Sequence, residues 1–126
     1  MLVKMETQAA GGENEFSFSG KVIQKINDST ATAINLTNIE KGKTYIFIRF
    51  QNASDYNAVS VGDSMDYTTP NPPTVKYRMT IIFRVETDNT IKQAIYMPEY
   101  FYISTSGNVI TIHSSTFTNC AILEME

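Results

Sequence analysis

The sequence predicts an all-β fold, an antiparallel β-sandwich (jelly-roll-like) of about nine or ten strands. Three observations lead to this prediction. Apolar and polar residues alternate with a period of two over most of residues 14–126. Glycine, asparagine and proline recur between the alternating segments, as expected of turns. Threonine, serine, asparagine and isoleucine are abundant, which favours strands over helices. We therefore predict one β-sandwich domain over 14–126, preceded by a flexible N-terminal arm over 1–13.

The first half of the domain reads as strands separated by turns, with no convincing helix. "EFSFSG" and "KVIQKI" precede a turn at "NDST", and the alternating "ATAINLTNI" precedes a turn at Gly42. "TYIFIRFQN" is apolar on both faces except for Arg49, which predicts a central, largely buried strand. "YNAVSVG" and "SMDYTT" are predicted as short edge strands around Gly62. "PNPP" is predicted to be an extended loop, because proline fixes φ and cannot donate to a ladder.

The second half contains the clearest alternation, in "TVKYRMTIIFRVET", which predicts a long antiparallel strand. A turn at "DNT" and the return segment "IKQAIYM" complete a hairpin. "YFYISTSG" and "NVITIHS" form a second predicted hairpin around Gly107 and Asn108. The closing stretch "VITIHSSTFTNCAILEME" is interpreted as the terminal hairpin, with core candidates Ile110, Ile112, Leu123 and Met125.

Composition excludes several classes of function. The net charge of −3 and the pI near 5.1 disfavour nucleic-acid binding. A single cysteine forms no internal disulfide, so a secreted disulfide scaffold is not indicated. The N-terminal residues show no signal peptide, and no apolar run has the length of a membrane-spanning helix. We therefore expect a soluble protein made in the cytoplasm, with no membrane insertion.

The lone His113 and the lone Cys120 are the first candidates for chemistry, since a cysteine nucleophile needs a nearby base. The interpretation as a hairpin allows the two side chains to be near neighbours, but no known nucleophile signature surrounds them. The alternative is that Cys120 packs in the core and His113 lies on the surface. Glu86 and Glu99 are the strand-region glutamates available to a glycosidase, and nothing singles them out. We therefore predict no catalytic residues and no cofactor, with a small hydrolase as a further alternative.

Asp55, Asp63 and Asp66 are candidate Ca²⁺ ligands, because they share a loop-rich stretch and supply hard oxygen donors. Their spacing matches no EF-hand loop, and the sequence lacks enough cysteine and histidine for zinc. Solvated loop carboxylates are the favoured interpretation, so no metal site is predicted.

Aromatic and basic residues on an exposed sheet form the third candidate site. Lys76, Arg78 and Arg84 share one side of the long strand, and Tyr96 lies on its hairpin partner. "EYFYIS" adds two more tyrosines. Such residues can stack on sugar rings or fill a protein interface, or they can simply cover the outer side of the sandwich. The candidate ligand or interface residues are Arg78, Arg84, Tyr96, Tyr100 and Tyr102.

Two segments resemble parts of known proteins. "YISTSGNVITIHSSTFTNCAILEME" resembles the terminal hairpins of small β-sandwich proteins in tailed-phage virions, and "NLTNIEKGKTYIFIRF" resembles strand–turn–strand segments in such modules. The resemblance is one of style and carries no functional residues with it. It implies a structural or adhesive role as a head decoration, head fibre, tail component or receptor-binding tip. It also implies a virion location and a symmetric homo-oligomer, for example a trimer.

The first hypothesis is therefore a non-enzymatic virion protein that assembles with other virion proteins through its arm and its sheet edges. Deleting residues 1–13 is expected to spare the fold and abolish assembly. The alternative is a carbohydrate-binding module that holds a host-surface glycan through Tyr96, Tyr100 and Tyr102.

Overall fold

A computed structural model describes residues 17–68, 77–96 and 100–126 of the chain. These residues form nine strands and one short helix. The predicted N-terminal arm, the "PNPP" loop, Lys76 and Glu99 lie outside the described residues. The elements in chain order are β1 (Ser17–Asp28), β2 (Ala33–Asn35), β3 (Tyr45–Phe50), α1 (Ala53–Asn57), β4 (Ser64–Thr68), β5 (Tyr77–Val85), β6 (Ile91–Tyr96), β7 (Phe101–Ser106), β8 (Val109–Ser114) and β9 (Phe117–Met125).

The strands form two antiparallel sheets, which confirms the predicted all-β sandwich. The larger sheet has the order β4-β1-β9-β3-β5-β6, and the smaller has the order β2-β8-β7. Neighbouring strands in each sheet run antiparallel. Of the nine described strands, only β2, β7 and β8 belong to the small sheet, so the order of these strands along the chain changes sheet four times.

The centre of the larger sheet is the segment "YIFIRF" of β3, where all six residues are buried. The sequence predicted this strand to be central, and the structure confirms it. β3 lies between β9 and β5 in the sheet. Its apolar residues point to both faces, because each face of the sheet meets other apolar side chains.

One apolar cluster fills the space between the two sheets. Phe47 of β3 lies at its centre, with its ring centroid 5.4 Å from that of Phe101 and 6.2 Å from that of Phe117. Phe101 belongs to the small sheet, so these ring contacts join the sheets directly. The other fully buried large side chains of this cluster are Tyr45, Ile81, Phe83, Ile112 and Ile122.

A second apolar cluster lies on the opposite face of the larger sheet. It includes Ile46, Ile48 and Ile82, and the helix α1 contributes Tyr56 to it. The Tyr56 ring meets Phe50 edge-on at 6.4 Å, and the Lys25 ammonium lies 4.0 Å above the Tyr56 ring. The outer face of this sheet is therefore covered near α1 rather than solvated.

The helix α1 corrects the prediction of an edge strand at "YNAVSVG". Asn52 caps this helix, because its side-chain oxygen accepts from the backbone N–H of Asp55 at 3.3 Å. The capping residue stops the extended run of β3 and turns the chain over the second cluster. The predicted strand "SMDYTT" is confirmed as β4.

The predicted turns are confirmed in both hairpins. Asn89 has a φ of 68° between β5 and β6, and Gly107 has a φ of 61° between β7 and β8. Both are left-handed conformations that asparagine and glycine adopt most easily.

The prediction of a terminal hairpin made of "VITIHS" and "CAILEME" is wrong. β8 belongs to the small sheet, whereas β9 pairs with β1 and β3 in the large one. The predicted faces are nevertheless correct: Ile110 and Ile112 lie between the sheets, and Leu123 lies on the second cluster, with Met125 packed at its margin.

Candidate functional site

The outer face of the small sheet gathers exposed aromatic side chains among described residues that include no acidic residue, lysine or arginine. Strand alternation and register place the following residues on it, with Tyr100 adjoining at the start of β7; we call this set the aromatic face: Ala33, Asn35, Tyr100, Tyr102, Ser104, Ser106, Val109, Thr111 and His113. The alternate residues of the same strands, such as Ile103, Ile110 and Ile112, point into the core.

The centre of the aromatic face is a stack of Tyr102 on His113. The two residues face each other across the β7–β8 ladder, and their rings are 6° from parallel with centroids 4.0 Å apart. The rings therefore stack along the direction from one strand to the next. As a result, the second face of the Tyr102 ring looks away from β8. Ser104 Oγ and His113 Nε2 share a hydrogen bond of 3.0 Å, which fixes the imidazole.

Tyr100 extends the aromatic face beyond the end of β7. Its ring meets Tyr102 at a centroid distance of 5.7 Å and an angle of 78°. The exposed fraction is 58% for Tyr100 and 44% for Tyr102, so both rings are open to a partner. The angle between the Tyr100 and Tyr102 rings gives the edge-to-face arrangement that aromatic pairs prefer.

Polar groups lie on the same face of the small sheet as the rings. Thr111 Oγ1 donates to Asn35 Oδ1 at 2.9 Å, across the β8–β2 ladder. Val109 is exposed at the far end of the face. Among its described members, the aromatic face combines aromatic residues with a lack of acidic, lysine and arginine residues, which is the composition that marks the buried centre of protein interfaces. The aromatic face therefore has the character of a contact surface.

The five site residues predicted from sequence do not lie together. Tyr100 and Tyr102 belong to the small sheet, whereas Arg78, Arg84 and Tyr96 belong to β5 and β6 of the large sheet. The β5–β6 register pairs Tyr96 with Thr80. The side chains of Arg78 and Tyr96 lie outside the described residues.

Arg84 forms an ion pair with Glu86, which lies just beyond the end of β5. Its Nε donates to Glu86 Oε1, and both side chains are half-buried. The neighbouring positions on the same side of β5, Thr80 and Ile82, are buried. This side of the long strand is thus covered at Thr80 and Ile82, and not exposed there as expected.

His113 and Cys120 do not form a catalytic pair. His113 faces outward on the small sheet, while Cys120 is buried between the sheets on β9. Burial raises the pKa of the Cys120 thiol to about 12, against a smaller opposing effect of the Arg49 charge. The thiol is therefore neutral at physiological pH and donates to the carbonyl of Thr118 at 3.5 Å.

Two of the three aspartates considered as Ca²⁺ ligands accept hydrogen bonds from the chain itself. Asp63 Oδ2 accepts from the backbone N–H of Ser60 at 2.8 Å, and Asp66 Oδ1 accepts from Ser19 Oγ at 2.7 Å. Asp55 lies in the first turn of α1. In the described ranges, no three histidine, cysteine or acidic residues are grouped as metal ligands.

A polar cleft of about 300 Å³ lies at one end of the sandwich, and sequence patterning did not predict it. Arg49 is one of its lining residues; it is 3% exposed, and its Nη1 donates to the carbonyl of Thr116 at 3.1 Å. This bond joins the central strand to the connection between β8 and β9. We assign Arg49 a structural role, because the chain itself uses this guanidinium donor.

No family model, curated protein or solved structure matches the chain. Across the described residues, no helix has the length and apolar character needed to cross a membrane.

Proposed function

We propose that this protein is a non-enzymatic structural and attachment protein of a virion, as a capsid decoration, head fibre or tail component. The observation that carries this proposal is the aromatic face, which is exposed, has no acidic, lysine or arginine residue among its members, and is centred on Tyr102 and His113. Surfaces of this composition bind other macromolecules by excluding water from aromatic side chains. The partners are other virion proteins and further copies of this chain.

The surroundings of His113 and Cys120 also support contact rather than catalysis. A nucleophilic cysteine needs a stabilised thiolate and a base within hydrogen-bond reach. Here the thiol is buried and its pKa is raised to about 12, while the imidazole lies outside on the other sheet. The resemblance of the strand–turn–strand segments to phage β-sandwich modules adds the virion context.

Particles purified from the virus that encodes this chain are expected to contain it in many copies. Replacing Tyr102 with alanine should lower its incorporation roughly tenfold or more, because truncation of a central interface tyrosine has effects of this size. Val61→Ala is the matched control, since Val61 is exposed on the turn before β4, away from the aromatic face. Quantitative mass spectrometry of the particles measures both. Absence of the chain from the particles would overturn the proposal.

Carbohydrate binding is the second candidate, and the exposure of Tyr100 favours it. The ring is 58% exposed, and the same face of the small sheet includes the Thr111 hydroxyl and the Asn35 amide, which are groups that can bond sugar hydroxyls. Tyr102 is less suited to stacking on a sugar, because His113 already occupies one of its faces. In this function the ligand would be a host-surface glycan bound on Tyr100.

A glycan array is expected to show binding that Tyr100→Ala weakens by up to roughly tenfold, the size of a typical aromatic contact. Val61→Ala should bind as the wild type does. Binding that is unaffected by Tyr100→Ala, or absent on every glycan, would rule out this candidate and leave the protein-contact proposal intact.

A further inference from the structure

The strand β7 is an edge without the devices that normally protect edges. Among the described residues it pairs only with β8. The other three edge strands are protected: β4 includes Asp66, β6 includes Lys92, and β2 has three residues. By contrast, β7 reads "FYISTS" over six residues, with no charge and no proline. Such a strand is a template for pairing with another chain.

The backbone groups that face this edge follow from the pairing of β8. The N–H of Leu36 donates to the carbonyl of Ile110, so even-numbered residues of β8 bond toward β2. Successive residues of an antiparallel strand bond to opposite sides, so the odd-numbered residues of β8 bond to the even-numbered residues of β7. The backbone N–H and C=O groups left facing the open edge are therefore those of Phe101, Ile103 and Thr105.

Tyr102 lies on the strand that forms this edge. It stacks on His113 across the β7–β8 ladder, so the opposite face of its ring is turned away from β8. Tyr100 meets the Tyr102 ring edge-to-face at 5.7 Å. A strand added at this edge would therefore extend the small sheet beside the two tyrosines.

We propose that two copies of this chain pair β7 with β7 in an antiparallel manner about a two-fold axis beside Ile103. With Ile103 facing its own counterpart and Phe101 facing Thr105 of the second copy, about six backbone hydrogen bonds form. A two-fold axis beside Tyr102 or Ser104 would allow only about four backbone hydrogen bonds. The axis beside Ile103 therefore pairs the largest number of edge-facing backbone groups. The small sheets then join into one continuous sheet.

The second copy is the fitting occupant because the edge is uncharged and complementary to itself. No like charges meet across the axis. Tyr102 comes to lie opposite Ser104 of the second copy, whose small side chain leaves room for the ring. This inference deepens the proposed assembly function, and the role of the dimer in a particle rests on that function. The pairing of β7 with β7 is tested separately, on the isolated chain.

The full chain is expected to be a dimer in sedimentation velocity at roughly 100 µM, well above a micromolar Kd. Thr105→Pro should weaken dimerisation at least tenfold, because it removes an edge-facing N–H while leaving the β7–β8 ladder bonds in place. Ala33→Pro makes the same change on the open side of β2 and should leave the dimer intact. A monomeric wild type, or equal effects of both proline variants, would overturn the proposal.

Cross-linking tests the register even if Thr105→Pro fails to fold. In a Cys120→Ala background, Tyr102→Cys combined with Ser104→Cys should form a disulfide-linked dimer on mild oxidation, since these positions face each other. Either cysteine alone should remain monomeric on a denaturing gel. Cross-linking by one single variant would place the axis elsewhere and overturn the proposed register. A variant that loses the dimer but is incorporated normally into particles would show that incorporation does not depend on the pairing of β7 with β7. The dimer inference and the proposed function would then stand or fall separately.

Discussion

Replacing Phe47 with alanine is expected to lower the free energy of unfolding by about 3–5 kcal/mol. The ring is fully buried at the middle of β3, where it contacts Phe101 of the small sheet and Phe117 of β9. Its removal takes apolar area out of the core and leaves a cavity between two sheets that cannot close freely. This loss is a large part of the total stability of a domain of this size.

Urea denaturation followed by far-UV circular dichroism measures this loss. Phe47→Leu is the graded control, because it keeps most of the apolar volume and should cost less than the alanine variant. Tyr100→Ala is the surface control and should change stability by roughly 0.5 kcal/mol or less. A Phe47→Ala variant as stable as Tyr100→Ala would show that the contact between the sheets does not depend on this ring.

The position of Phe47 illustrates what the sequence could predict. "YIFIRF" is apolar on both faces, and such a run is stable only in a strand covered on both sides. Likewise, the alternation of Ile81, Phe83 and Val85 with Ile82 and Arg84 correctly separates two faces of β5. Local periodicity is enough here, because the side chains of a strand alternate whatever the strand pairs with.

The pairing of β9 could not be predicted in the same way. The segment after Ser114 looks like the return strand of a hairpin, yet it crosses to the other sheet and pairs with β1 and β3. That choice depends on apolar partners far away in sequence, which alternation alone does not reveal. The short helix α1 was missed for a different reason, because its five residues depend on the Asn52 cap and on packing of Tyr56.

The aromatic face was partly accessible from the sequence. Gly107 and Asn108 form a two-residue turn, so Ser106 must pair with Val109. Counting back along both strands brings Tyr102 opposite His113, a register that could have been read from the hairpin. By contrast, the grouping of Tyr96 with Tyr100 relied on nearness in sequence, and the chain changes sheets between them.

Stability is expected to fall steeply in alkaline solution because of Cys120. Burial raises the pKa of this thiol from 9.0 to about 12. Between these pH values the unfolded chain releases the Cys120 proton while the folded chain keeps it. The unfolded state then binds fewer protons, so the free energy of unfolding decreases as the pH rises. The contribution of the neutral thiol to the free energy of unfolding is fully present below about pH 9. About 4 kcal/mol of this contribution is lost by pH 12.

Cys120→Ala isolates this effect, because the tyrosines and lysines that also titrate in this range remain in both proteins. The difference in unfolding free energy between wild type and Cys120→Ala should be constant up to about pH 9 and then shift in favour of the variant. Urea titrations at each pH give this difference. A constant difference up to pH 12 would mean that the thiol titrates equally in both states. Such a result would place Cys120 in contact with water, and the buried core between the sheets would have to open there.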